Sequence, residues 1–218
     1  MKVLSIPAEH VYPQAIRPEG VSFHPDPDID GNWWPHPALE ARWWDTERDV
    51  DLVHIHFGYE HLTPEQLQEL VDALPVPLVV TVHDLDNPHL SDPADQERHR
   101  ANVGVLVRAA KQVVTLTESA AATIAKRYGR EDVAVVGHPA VVKQPPDVEA
   151  DADAAIFLKS LRANAVADVE FYRAIAARVP LTVYMHDVDA TLQLHKELSL
   201  IDGITLVRHT PMNDPELH

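Results

Sequence analysis

Five consecutive residues, Leu78-Val79-Val80-Thr81-Val82, constrain the fold of this chain more than any other stretch. The run is apolar and β-branched, with no alternation that would leave one face wet, as expected of a strand in a parallel sheet covered on both sides. Parallel neighbours need long crossovers, usually helices. One helix precedes the run: Thr63, Pro64 and Gln66 supply an N-cap, a first-turn proline and a capping-box partner, and Leu67, Leu70, Val71 and Leu74 then recur at helical spacing until Pro75 and Pro77 stop them. Another follows from about Pro93 to Ala110, capped by Asp92 and striped by Val103, Leu106, Val107 and Ala110.

The alternation extends in both directions. Downstream, Gln112 to Leu116 reads as a strand, Thr117 or Ser119 caps a helix ending at Tyr128-Gly129, and Asp132 to Val136 reads as a strand. Upstream, Lys2 to Ile6 is a strand cut off by Pro7, and Asp51-Leu52-Val53-His54-Ile55-His56 is a buried strand leading into the turn Phe57-Gly58-Tyr59. Between them, Pro7 to about Asp49 is proline-rich and aperiodic, which predicts a long loop region with room for one short strand. Its pairs Trp33-Trp34 and Trp43-Trp44 read first as plugs for a gap in the core and second as stacking faces.

Lys143 to Asp153 carries Pro145, Pro146 and several acids with no periodicity, and reads as a linker. Beyond it the pattern restarts with a strand at Ala155 to Leu158, a helix at about Ala165 to Arg178, a strand at Leu181 to Met185, a helix at about Ala190 to Leu198 and a strand at Ile204 to Val207. The expected architecture is α/β: a Rossmann-like doubly wound parallel sheet over 1–142, a linker over 143–153, and an incomplete second Rossmann-like unit over 154–218. At 218 residues the chain exceeds one average domain and falls short of two doubly wound ones, and Asn213 to His218 reads as the cap and first turn of a helix that does not continue. A truncated protein is therefore expected. An internal echo supports two similar halves: Val76 to Asp86 and Val179 to Asp189 agree at seven of eleven positions, including His83-Asp84 and His186-Asp187.

Composition removes several classes of function. With 34 acidic residues against 18 basic ones, the net charge of -16 repels phosphate backbones and anionic lipid surfaces, so no nucleic-acid partner is expected. No apolar run approaches the roughly 20 residues needed to span a bilayer. The absence of cysteine fits a reducing compartment, and a cytoplasmic location is expected. None of the seven glycines forms a dinucleotide or P-loop fingerprint, which disfavours an NAD enzyme, and no cofactor is expected.

In open α/β sheets ligands bind beyond the carboxyl ends of the strands. Three segments place polar groups there: His54 and His56 with Gly58, His83-Asp84, and Thr115 to Ser119. His83 leaves a strand that has no other ionisable residue, so it is a candidate acid, base or hydrogen-bond donor. His54 and His56 alternate onto one face and, with Asp84, Asp86 or His61, outline an alternative: the divalent metal site of a hydrolase. Asp84-x-Asp86 and Asp26-x-Asp28-x-Asp30 resemble cation motifs, yet acidic residues at such spacing are common as caps and Asx turns. In the second unit, Ser160, Arg162 and Asn164 lie in the loop after the first strand, where a guanidinium and a helix cap at Asn164 suit a phosphate.

Taken in order, Asp49-Val-Asp-Leu-Val-His54-Ile-His56, Val79-Val-Thr-Val-His83-Asp84, Val113-Val-Thr-Leu-Thr-Glu-Ser119 and Val135-Val-Gly-His138-Pro139 resemble the retaining GT-B glycosyltransferases of the glycogen-synthase-like group. The resemblance implies transfer of a sugar from a nucleotide-sugar donor, held mainly by the second domain, to a small-molecule or glycan acceptor held by the first. It implies that His83, with Asp84, lines the reaction centre and that Arg162 offsets the charge of the donor diphosphate, with Ser160 and Asn164 beside it. His10, Tyr12, His56, Gly58 and Tyr59 are then the expected acceptor contacts. The chain departs from that family in three places: no lysine stands among the four residues after Arg162, Pro7 to Tyr12 replaces a glycine-rich turn, and no two glutamates are separated by seven residues. These departures extend the expectation of truncation to an enzyme inactive on its own and leave a non-catalytic sugar- or nucleotide-binding relative as a further alternative, with oligomerisation left open.

Overall fold

The structure is a computed structural model that describes residues 1–46, 48–139, 153–158, 161, 165–186 and 191–209. The chain forms two compact units, Met1–Val141 and Val142–His218. Most of the proposed 143–153 linker lies outside the described residues.

The first unit is a six-stranded, wholly parallel sheet flanked by helices, a Rossmann-like α/β fold. Its strands β1 (Lys2–Ile6), β2 (Ser22–Phe23), β3 (Leu52–Ile55), β4 (Leu78–Val82), β5 (Gln112–Thr115) and β6 (Val133–Val135) lie in the order β2-β1-β3-β4-β5-β6. Register pairs Ser5 with His54 and His54 with Val79, so the two faces differ in character. One carries Leu4, Ile6, Val53, Ile55, Val80, Val82 and Val113 into the main core, where they meet Leu67, Leu70, Val103 and Leu106. The other carries Ser5, His54 and Thr81, polar groups that share hydrogen bonds instead.

Helices α2 (Pro64–Ala73), α3 (Pro93–Ala109) and α4 (Glu118–Tyr128) begin where their caps direct. Both halves of the Thr63/Gln66 capping box form, Asp92 accepts from the Ala94 N–H, and Thr117 accepts from the Ala120 N–H. Gly129 ends α4 in the left-handed region at φ 71°. A buried amide joins helix to loop: Asn102 Nδ2 donates to the Leu62 carbonyl at 2.9 Å.

The stretch after β1 holds more structure than a loop with one short strand. Besides β2 it forms α1 (Val11–Ile16) and two 3-10 turns at Pro37–Leu39 and Ala41–Asp45. These pieces are too short to show a 3.6-residue stripe, and α1 and the first turn are capped by ring nitrogens of His10 and His36, which are not preferred capping groups. Trp44 is buried and donates from Nε1 to the Ala38 carbonyl at 3.0 Å, while Trp33 and Trp43 pack against the core, so three of the four indoles serve as plugs.

The second unit contains β7 (Ala154–Leu158), α5 (Val169–Ala176), β8 (Leu181–His186), α6 (Leu192–Leu198) and β9 (Ile204–His209), with a parallel sheet in the order β7-β8-β9. Its core gathers Leu158, Tyr172, Leu181, Val183, Met185, Leu194 and Leu198. Helix α5 starts four residues later than the spacing predicts. Asp168, not Asn164, provides the cap, its carboxylate accepting from the Glu170 N–H at 3.0 Å. No helix among the described residues is long and apolar enough to cross a membrane.

Candidate functional site

The carboxyl ends of β1, β3 and β4 deliver aromatic and imidazole rings to one place. β1 runs through Pro7 into a loop whose Ala8 and Glu9 N–H groups donate to the Asp26 carboxylate at 2.7 and 2.8 Å. This clamp sets the start of α1, where His10 Nδ1 accepts from the Tyr12 N–H at 3.2 Å. Tyr12 is buried and stands at the centre of the cluster. The edge-on ring of His83 lies 4.6 Å from it, His56 5.6 Å, and His138, which follows β6, 5.1 Å.

The imidazoles are tied to one another in a chain. His54 Nε2 lies 2.8 Å from Thr81 Oγ1, the His54 and His56 rings are 3.9 Å apart, and His56 Nδ1 lies 3.5 Å from His83 Nε2. Burial pushes His54 and His83 down to about 4, with neighbouring histidines adding to the effect, and it pushes His56 down to about 2. His54, His56 and His83 are therefore uncharged at neutral pH. Burial also raises Tyr12, so its hydroxyl stays protonated. Tyr12 Oη and His56 Nε2 are buried without a hydrogen-bond partner among the described residues, which marks a polar site, not a packed plug.

Beside the cluster, a cavity of about 510 Å³ opens between the loop after β1 and residues 26–33, lined by Glu9, His10, Asp26, Asp28, Asn32 and Trp33. Asp28 accepts from the Gly31 N–H at 2.8 Å, so the Asp26-Asp28-Asp30 spacing serves loop closure and turn formation.

The structure thus brings His10, Tyr12, His56 and His83 together. Gly58 and Tyr59 lie in the adjoining turn and are buried, with Tyr59 in the core and stacked on His99 at 6.1 Å. The side chain of Asp84 is exposed, and its carbonyl accepts from His99 Nε2 at 3.0 Å. Ser160, Arg162 and Asn164 lie outside the described residues. Thr81, His138, Glu9 and Asn32 were not anticipated as parts of a site. The strand-end rule that selects His56 and His83 would also have selected His138 at the exit of β6.

The metal-hydrolase arrangement does not assemble. His61 packs edge-on to Trp34 at 5.3 Å, and Asp86 pairs with Arg100 at 2.6 Å and Arg127 at 3.0 Å. Among the described residues no group of three or more His, Cys, Asp or Glu could hold a metal ion.

The first unit is thus a parallel α/β domain with a polar ring cluster at its strand ends. The family model of Glycosyltransferase Family 4 matches residues 4–141, which span β1 to β6, and the chain belongs to that family. No curated protein matches the chain significantly.

Proposed function

We propose that this chain carries the acceptor-side domain of a retaining GT-B glycosyltransferase that moves a sugar from a nucleotide-sugar donor to a hydroxyl-bearing acceptor. The observation that carries this reading is the convergence of His10, Tyr12, His56 and His83 at the carboxyl ends of parallel strands, inside the stretch that matches the family. In the reaction, the bond between the sugar anomeric carbon and the diphosphate oxygen breaks, its electron pair leaving with the nucleoside diphosphate, a bond from the acceptor oxygen to that carbon forms, and the acceptor hydroxyl proton passes to the departing diphosphate. His83 sits beside the transferred sugar as a neutral hydrogen-bonding group, with Asp84 next to it. His10, Tyr12 and His56 line the acceptor approach, and Gly58 and Tyr59 shape the wall behind it. Arg162, flanked by Ser160 and Asn164, offsets the charge on the departing diphosphate.

A thermal-shift panel of UDP-, GDP- and dTDP-sugars, followed by NMR of the product formed with a panel of sugar and polyol acceptors, tests the reading. Stabilisation by one donor class is expected, with a product of retained anomeric configuration wherever transfer is measurable. An inverted product would overturn retention, and stabilisation without turnover would make the chain a sugar-nucleotide binder instead.

A further inference from the structure

Two neutral imidazoles that face each other through one nitrogen apiece hold a single proton on that axis. His83 Nε2 and His56 Nδ1 are 3.5 Å apart, a long contact of the kind that tightens when a catalytic site fills. Both rings are kept neutral by burial, so the issue is which nitrogen of each carries its proton.

The two arrangements differ in what they strand. If His83 donates, His56 carries its own proton on Nε2, a buried position with no hydrogen-bond partner. If His56 donates, that same Nε2 is a bare acceptor, and His83 carries its proton on Nδ1. Orphaned buried donors are rarer in folded proteins than under-used acceptors, so the second arrangement is favoured. His56 is also held in place. Thr81 fixes His54, whose ring covers that of His56 at 3.9 Å, and Tyr12 stands edge-on at 5.6 Å. His83 Nδ1, on a half-buried ring, makes no hydrogen bond to another described residue and is not among the buried unpartnered atoms.

We propose that His56 is a positioning residue for His83: it donates from Nδ1 to His83 Nε2 and thereby presents His83 to the transfer site as an Nδ1–H donor. The role rests on the glycosyltransferase reading only for its purpose, since the tautomer is a property of the protein alone. A neutral donor of this kind can bond a sugar or phosphate oxygen without placing a buried charge in the site.

Long-range ¹⁵N–¹H NMR of the uniformly ¹⁵N-labelled full chain at pH 7 reads the tautomer directly, with His83→Gln assigning the signals. His83 is expected as Nδ1–H in the unaltered protein. It is expected to stay so in His56→Asn, whose amide N–H can stand in for Nδ1–H, and to switch to the Nε2–H form favoured by free imidazole in His56→Leu. An Nε2–H tautomer in the unaltered protein, or the same tautomer in the Leu and Asn variants, would overturn the proposal. If His56→Leu does not fold, judged from its amide spectrum, the unaltered protein and His56→Asn decide. Where transfer is measurable, kcat should fall about tenfold or more in His56→Leu and recover in part in His56→Asn. Failure of transfer with the predicted tautomer intact would count against the functional reading and leave the His56–His83 relationship standing.

Discussion

Gly58 lies so close beneath the indole of Trp33 that a Cβ on it would come within 2.7 Å of Trp33 Cη2. Its φ of +95° is one that side chains rarely adopt, and its carbonyl accepts from Trp34 Nε1 at 2.9 Å. Contact and backbone strain therefore act together at this turn, next to Phe57 and His56. Gly58→Ala is expected to cost about 2–4 kcal/mol. Gly20→Ala, at φ +78° with nothing within 4 Å, meets only the backbone term, about 1 kcal/mol. Urea unfolding of both variants separates the two, and equal losses would mean that Trp33 yields at no cost.

Acidification should loosen the first unit before its carboxylates titrate. His36, His54 and His83 are each lowered to about 4 and His56 to about 2, chiefly by burial, so the unfolded chain binds more protons than the folded one below about pH 6.5. Stability from these groups is fully present above that pH and is lost as pH falls through 6 and 5, each group contributing on the order of a few kcal/mol once forced to charge. Melting curves between pH 7.5 and pH 5 check the sign, and His54→Gln should flatten the dependence.

The carboxylate of Asp26 holds two backbone donors of the loop after β1, those of Ala8 and Glu9. Asp26→Ala should cost about 1–2 kcal/mol, because it strands donors that had a charged acceptor. The sharper readout is amide exchange: protection at Ala8 and Glu9 should fall while that of Val53 in β3 stays.

His83 is half-buried, and its one hydrogen bond among the described residues is the long contact to His56. His83→Ala is therefore expected to lower the rate of sugar transfer about a hundredfold or more while shifting the melting midpoint by only a few degrees. Steady-state kinetics with the donor that stabilises the chain, set beside a melting curve, checks both halves.

The elements that could be read from residues alone are those with local, redundant signals. Thr63 with Gln66, Asp92, Thr117 and Gly129 mark helix ends through contacts within four residues, and the structure forms each one. Short α1 carries no such signal, and α5 takes its cap from Asp168, four residues beyond the expected position. Parallel strands direct their exits to one edge of the sheet, so His56 and His83 were accessible to sequence reasoning. The clamp of Asp26 on Ala8, the approach of Trp33 to Gly58 and the contact of His138 with Tyr12 join residues far apart in the chain, and nothing in local spacing encodes them. The echo between Val76–Asp86 and Val179–Asp189 shows the same division. Both copies form a parallel strand, β4 and β8, yet His83 is half-buried among rings whereas His186 is buried and its carbonyl accepts from Thr191 Oγ1 at 2.8 Å.

The segment that follows His83 is tied down at Asp86, whose two carboxylate oxygens take guanidinium groups from α3 and α4, all of them partly exposed. The sheet beneath is held by burial, which dissolved ions barely touch, while this tether is a pair of charges facing water, which they weaken. Ionic strength therefore becomes a dial on one part of the molecule: raising it slackens the strap beside the ring cluster and leaves the β4 scaffold taut.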